Sequence, residues 1–125
     1  MNPPTAIPDK VQILALVKTS LCWNLNSSDD LPALAVSLDV LEQCTSYGQA
    51  LEGDLRERCD GLPVQSAAYR RAQETLGEAG RRLHGPAPAR TAFAAARRAQ
   101  NVARLVQTLL RVTGSAAPVE PGSRT

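Results

Sequence analysis

Near the end of the chain, arginines recur at intervals of seven residues, at Arg90, Arg97, Arg104 and Arg111. Seven residues are two turns of an α-helix, so on a helix these guanidinium groups form one nearly straight stripe, with Arg98 beside it. No Asp or Glu occurs between residues 83 and 117. The stripe must therefore take its partners from another helix, another chain, an anionic ligand or water.

Three interpretations of the arginine stripe are open. The simplest is a solvated outer face, in which exposed pairs with acidic residues of the second helix contribute about 0–1 kcal/mol each. Those acidic residues are Glu42, Glu52, Asp54, Glu57 and Asp60. The second interpretation is a docking face for an acidic protein partner, built from Arg90, Arg97, Arg98, Arg104 and Arg111. The third is binding of nucleic acid or another polyanion. A nucleic-acid site usually adds a recognisable motif or stacking aromatic side chains, and we expect Phe93 to lie toward the alanine face of the helix.

Glu52 is the acidic residue with the most unusual position, because it falls on the apolar seam of the second helix. A buried carboxylate is costly unless it is paired, and Arg97 or Arg104 is the expected partner. In that orientation Glu52 fixes the helix register or acts as a general acid. The simpler interpretation is a helix rotated so that Leu51 points inward and Glu52 outward.

No pattern in the sequence predicts catalysis, a metal site or a cofactor. The three cysteines, Cys22, Cys44 and Cys59, are far apart and form no C-x-x-C pair. Cys44 and Cys59 lie at or near seam positions, where small buried cysteines are common. His84, the only histidine, is expected to touch the terminal carbonyls of its own helix. Phosphate-binding, zinc-protease and serine-hydrolase motifs are missing from the sequence, which favours a non-catalytic protein over an enzyme.

The composition favours a small cytoplasmic protein with one domain. The chain has 125 residues, a formal net charge of +2 and only 3% aromatic residues, so the core must be built mainly from Leu, Val and Ala. An odd number of cysteines argues against a disulfide framework and for a reducing compartment. The sequence shows no convincing signal peptide and no apolar run of about 18 residues, so no membrane span is expected.

Two helices are predicted in the first half of the chain, after an irregular arm at residues 1–7. The first helix begins near Pro8 or Asp9 and has apolar residues on more than one face, so we expect burial on two sides. The second runs over residues 31–59, capped by Asp29 or Asp30, with Pro32 in its first turn. Its apolar seam follows a heptad pattern. The seam consists of Leu31, Leu34, Leu38, Leu41, Thr45, Gly48, Glu52, Leu55, Cys59 and Leu62. A kink or short break is expected near Gly48.

Two further helices are predicted in the second half. The third runs from Pro63 or Val64 to Leu83 and places two pairs on its outer face, Arg71 with Glu74 and Glu78 with Arg82. The fourth covers residues 86–112, and a disordered tail is expected at 114–125. Short connections favour antiparallel neighbours. The sequence therefore predicts an all-α fold, a four-helix antiparallel up-down bundle, with residues 8–113 as its single domain.

Residues 44–112 resemble a family of small all-helical actinobacterial proteins of unknown function, some of which are labelled natural-product biosynthesis proteins. The resemblance covers Leu62-Pro63, the segment GEAGRRL at 77–83 and the segment ARRA at 96–99. Gly80 stands where the family usually has Arg, and Val64-Gln65-Ser66 replaces residues that are commonly acidic. The resemblance implies an actinobacterial, cytoplasmic, all-helical protein and brings no catalytic residue.

Two functions are consistent with these observations. The first is a non-catalytic interaction protein, an adaptor or regulator beside a natural-product biosynthetic pathway. It uses the arginine stripe to bind a protein partner or a second copy of itself as a homodimer. The second is a bundle with a small apolar cavity near Thr45, Gly48 and Glu52, which binds or cyclises an apolar intermediate of a biosynthetic pathway. Nucleic acid and membranes are not expected partners.

Overall fold

The computed structural model describes residues 9–113, which contain four α-helices, a short 3₁₀ turn at Ser28–Asp30 and no β-strand. The helices are α1 (Lys10–Leu21), α2 (Leu34–Asp60), α3 (Ala67–Leu83) and α4 (Ala92–Val112). The predicted arm at 1–7 and the predicted tail at 114–125 lie outside the described residues. Within residues 9–113, no helix is long and apolar enough to span a bilayer.

Contacts between the helices set their directions. Cys59 near the end of α2 meets Gln73 in the first half of α3, and Glu52 meets His84 just after α3, so α2 and α3 are antiparallel. Gln100 in the first half of α4 meets Ser20 near the end of α1, so α1 and α4 are antiparallel as well. These pairings confirm the predicted all-α, four-helix antiparallel up-down bundle.

The core lies between α2 and α4, and α1 and α3 each pack against both of these helices. Ten of the 21 residues of α4 are buried, among them Ala99, Val102 and Leu109. Aliphatic and small side chains supply most of the core. The scarcity of aromatic residues therefore has the expected consequence, a core of Leu, Val and Ala with two buried cysteines.

The start of the first helix is confirmed by its cap. The Asp9 carboxylate accepts a hydrogen bond from the Gln12 backbone N–H at 2.8 Å, and the Gln12 side chain accepts one from the Asp9 N–H at 3.2 Å. This reciprocal pair satisfies two backbone donors that the first turn leaves open. The expected burial on two sides is wrong, because only Ile13, Val17 and Ser20 are buried and Val11 is 77% exposed.

The predicted start of the second helix is also wrong. Asp29 and Asp30 form a separate 3₁₀ turn, and α2 begins only at Leu34, after Pro32. Leu31 is extended, with φ −71° and ψ 139°. The reason is steric, since a proline ring disfavours the helical conformation of the residue before it.

The fourth helix begins six residues later than predicted, at Ala92. Pro86 and Pro88 disfavour helical conformations at the residues before them. Thr91 then caps the helix, because its hydroxyl oxygen accepts a hydrogen bond from the Ala94 backbone N–H at 3.1 Å. As a consequence, Arg90 lies outside α4 and does not belong to a helical stripe. Ser66 caps α3 in the same way, which starts that helix at Ala67 rather than near Pro63.

The second helix runs without the predicted break at Gly48. Gly48 is buried, and a Cβ atom there would lie 3.0 Å from Leu83 Cδ2 and 3.6 Å from Val106 Cγ2. The glycine therefore allows α3 and α4 to approach α2 closely. Before Gly48 the buried positions are Ser37, Val40 and Cys44, one residue off the predicted seam.

Candidate functional site

The exposed residues of α4 lie along one side of the helix. They are Phe93, Arg97, Arg104, Gln107 and Arg111, and we call them the arginine face. At 100° per residue they fall within about 80° of the helix circumference. The other positions of α4 are buried or half-buried, including Arg98, so this face is the part of the central helix that meets solvent.

The expected pairing of these arginines with acidic residues of α2 is wrong. Within residues 9–113, none of the ion pairs involves an arginine of α4. Glu52 and Asp54 instead pair with Arg56 and Arg58, four residues later in α2 itself. A partner one turn away along the same helix is close whatever the packing of the bundle, and it therefore takes the carboxylate first.

The arginine face consequently carries positive charge that no described acid neutralises. Arg104 donates a hydrogen bond to the Asn101 side-chain oxygen at 3.1 Å, which is a neutral partner. Arg97, Arg104 and Arg111 are exposed and span about 21 Å along the axis at 1.5 Å per residue. Such a row is suited to an extended acidic surface rather than to a single small anion.

The expected inward position of Phe93 is wrong. Its side chain is 44% exposed, and it lines a shallow groove of about 270 Å³ together with Arg97 and Arg98. Pro88 and Ala89, in the segment before α4, form the other side of this groove. The arginine face thus has an aromatic side chain at its first turn, where an apolar group of a partner can pack beside the arginines.

Glu52 is buried, with 5% of its surface exposed, although Leu51 is buried as well. The interpretation that turned Glu52 outward is therefore wrong, and so are the proposed partners Arg97 and Arg104. The carboxylate lies 2.9 Å from His84 Nε2 and 3.7 Å from Arg56 Nη2. Both residues of the pair 51–52 are buried because α2 packs against α3 on one side and α4 on the other.

His84 does not act as expected at the end of its helix. Its backbone N–H donates a hydrogen bond to the Gly80 carbonyl oxygen at 3.3 Å, which ends α3. Its ring contacts Glu52 on α2 instead of the terminal carbonyls. The imidazole and the carboxylate therefore join the end of α3 to the middle of α2. No group of three or more metal-ligating side chains occurs within residues 9–113, and this pair has no third ligand.

The cysteines are separated in the structure as they are in the sequence. All three are free, with Cys22 exposed and Cys44 and Cys59 buried. Burial raises the pKa of the Cys44 thiol to about 11, which leaves it protonated and unreactive at neutral pH. Cys59 accepts a hydrogen bond from Gln73 Nε2 at 3.3 Å. Neither buried cysteine contacts His84 among the hydrogen bonds and ion pairs of residues 9–113.

At Gly48 itself there is no room for the apolar cavity expected near Thr45, Gly48 and Glu52, because Leu83 and Val106 fill the space that the glycine leaves. An open groove of about 520 Å³ lies instead near the end of α2, where α2, α3 and α4 meet. We call it the three-helix groove, and its lining includes Leu55, Ala72 and Val112 as well as three arginines. Sequence reasoning missed it because these residues come from three helices and share no local pattern.

The outer face of α3 differs in one pair from the expected arrangement. Arg71 makes no ion pair with Glu74 or any other acid within residues 9–113. The predicted pair of Glu78 with Arg82 is confirmed, and Arg81 joins it. The hydrogen bond from Arg81, helped by the nearby charge of Arg82, lowers the pKa of Glu78. Arg71, like the arginines of α4, therefore has no counterion among residues 9–113.

Comparisons with known proteins give no relative: no protein-family model, curated protein or solved structure matches the chain.

Proposed function

We propose that the protein is a non-catalytic helical interaction protein, an adaptor or regulator, whose arginine face binds an acidic protein partner. The observation that carries this proposal is the row Arg97, Arg104 and Arg111, exposed on the central helix and without an acidic partner within residues 9–113. A complementary acidic surface gains charge-assisted hydrogen bonds there without first breaking existing ion pairs.

Phe93 supports a protein partner rather than a purely electrostatic one. Aromatic residues and arginine are both enriched at protein interfaces, so a partly exposed phenylalanine beside arginines is typical of such a surface. The expected partner segment carries acidic residues at helical or extended spacing and an apolar side chain at one end, opposite Phe93. The partner is either another protein or a second copy of this chain, whose α2 exposes Glu42, Glu57 and Asp60.

A cytoplasmic location and a place beside a natural-product biosynthetic pathway are parts of the same proposal. The location is supported by three free cysteines, one of them exposed. The pathway association is supported by the resemblance of residues 44–112 to the actinobacterial family.

A fluorescent poly-glutamate peptide tests the docking face directly. The double variant Arg97→Glu/Arg104→Glu is expected to weaken binding about tenfold or more, since close charge pairs at interfaces are worth about 1.5 kcal/mol or more. The matched control is Lys18→Glu/Arg70→Glu, which changes the net charge equally at exposed positions of α1 and α3. Equal loss in both variants would mean that only the net charge matters and that α4 carries no docking face.

Light scattering on the eluting protein, at low and high salt, tests self-association. If the arginine face binds a second copy, the dimer dissociates at high salt, because the Debye length falls from about 10 Å at 0.1 M to about 3 Å at 1 M. The same double variant should be a monomer at both salt concentrations. A monomeric wild-type protein at low salt contradicts the homodimer and leaves the acidic protein partner to be tested by the peptide.

A further inference from the structure

The three-helix groove combines an apolar floor with a cationic rim. The floor is formed by Leu55, Leu62, Ala68, Ala72 and Val112. The small side chains of Ala68 and Ala72 on α3 leave the space between the larger side chains of α2 and α4. Its volume of about 520 Å³ lies within the range of about 300–1,000 Å³ that is usual for small-molecule sites.

All the charged residues that line the groove are arginines: Arg58 from α2, Arg71 from α3 and Arg111 from α4. Arg58 is already engaged, because its Nε lies 3.4 Å from Asp54 Oδ2 and its Nη1 donates a hydrogen bond to the Thr113 carbonyl oxygen. Arg71 and Arg111 make no ion pair within residues 9–113. Two guanidinium groups from different helices therefore face the same groove without a described counterion.

We propose that the three-helix groove binds a small amphipathic carboxylate, with its acyl chain on the apolar floor and its carboxylate at Arg71 and Arg111. The argument is charge complementarity joined to shape. Guanidinium groups bind carboxylates through paired, charge-assisted hydrogen bonds, and the floor removes an alkyl chain from water. A free inorganic anion would leave the floor unused, and a neutral lipid would leave the two arginines unpaired.

This site is separate from the docking of a protein on the arginine face. The two share Arg111, but Arg71 and Ala68 belong to the groove alone, and Arg97 and Arg104 belong to the face alone. The double variant Arg97→Glu/Arg104→Glu should therefore keep the carboxylate site, so that either proposal can fail without the other.

Titration calorimetry of the full-length protein with sodium decanoate tests the proposal. Acetate, which lacks the alkyl chain, and decanol, which lacks the charge, are the controls. Decanoate is expected to bind with one site per chain, at least about tenfold more tightly than acetate or decanol. Arg71→Gln should weaken decanoate binding about tenfold. Arg70→Gln, at the neighbouring exposed position outside the groove, should change it less than about twofold.

A second pair of variants tests the apolar floor. Ala68→Phe fills the groove and should abolish decanoate binding, whereas Ala67→Phe places the same side chain at an exposed position outside the groove and should not. Circular dichroism checks that both variants fold. If either does not, Arg71→Gln, a substitution at an exposed position, still tests whether the groove binds the carboxylate.

Three results would overturn the proposal. The first is no binding of decanoate to the wild-type chain. The second is equal binding of decanol and decanoate together with no effect of Arg71→Gln, which would show an apolar surface with no anion site. The third is a dimer that Ala68→Phe dissociates and decanoate does not, which would assign the groove to a second copy of the chain.

Discussion

At the scale of single residues, burial makes side chains of the same type differ in reactivity. Cys22 is exposed and Cys44 is fully buried, and burial raises the pKa of Cys44 to about 11. The thiolate is the nucleophile, so burial makes Cys44 unreactive both by raising its pKa and by shielding it from reagents. Glu52 shows the same principle for a carboxylate, because burial is tolerated only with His84 and Arg56 beside it.

The thiols should therefore react one at a time. In native protein at about pH 8, near the ordinary thiol pKa, a disulfide reagent such as DTNB should modify one of the three thiols rapidly. That thiol is Cys22, and the other two should react only after unfolding. Cys22→Ser should remove the rapid phase, and any rapidly reacting thiol in that variant would contradict the burial of Cys44 or Cys59.

Raising the pH adds a stability effect of known sign. The pKa of Cys44 is higher in the folded protein than in the unfolded chain, so the native state holds the proton more tightly. The contribution of this thiol to the free energy of unfolding is fully present below about pH 9. It is lost as the pH rises toward about 11. The alkaline loss in the free energy of unfolding should thus be smaller in Cys44→Ala than in wild type, whatever the neutral-pH cost of the substitution.

At the scale of elements, the end of α1 depends on a side chain of α4. Gln100 Nε2 donates hydrogen bonds to the carbonyl oxygens of Ser20 at 2.8 Å and Trp23 at 3.1 Å. The last carbonyls of a helix lack the usual donor four residues later. The Ser20 carbonyl accepts from the Trp23 backbone N–H at 3.2 Å, and Gln100 adds a second donor from α4. This contact ties α1 to the central helix.

Gln100→Met should remove those hydrogen bonds while keeping a side chain of similar shape. We expect a loss of about 1–3 kcal/mol in the free energy of unfolding, because two hydrogen bonds worth about 0.5–1.5 kcal/mol each are removed. The matched control is Gln107→Met at an exposed position of the same helix, with a change within about 0.5 kcal/mol. Urea denaturation of both variants measures the difference, and equal stabilities would show that Gln100 does not hold α1.

The glycines of α2 should respond in opposite ways to the same substitution. Gly53→Ala has no atom within 4 Å of the new Cβ and should stabilise the helix by up to about 1 kcal/mol. Gly48→Ala gains the same helix propensity but presses on Leu83, and overpacking costs about 1–3 kcal/mol. Urea denaturation should therefore show Gly53→Ala as stabilised and Gly48→Ala as destabilised. A stabilised Gly48→Ala would mean that α3 can move away at little cost.

At the scale of the whole molecule, α4 makes the bundle one unit, because each of the other three helices packs against it. A helix that contacts all the others cannot unfold alone without exposing the core. We therefore expect a single cooperative transition in urea.

Two probes test this cooperativity. Far-UV circular dichroism reports all four helices, and the fluorescence of Trp23, the only tryptophan, reports the end of α1. The two transitions should have the same midpoint. A Trp23 transition at lower urea would show that α1, which has few buried residues, separates first.

The sequence alone determined the fold class, the number and order of the helices in residues 9–113, and the start of α1. These follow from apolar spacing and from local signals such as Asp9 at the start of α1, where every interacting group lies within a few residues of the others. Only the tertiary structure decided that Glu52 is buried against His84, that Phe93 faces outward and that three arginines share one groove. Those outcomes depend on the rotation and axial offset of each helix against its neighbours, which a local pattern does not encode. Glu52 and Asp54 illustrate the difference, because they pair with arginines of their own helix and not with those of α4.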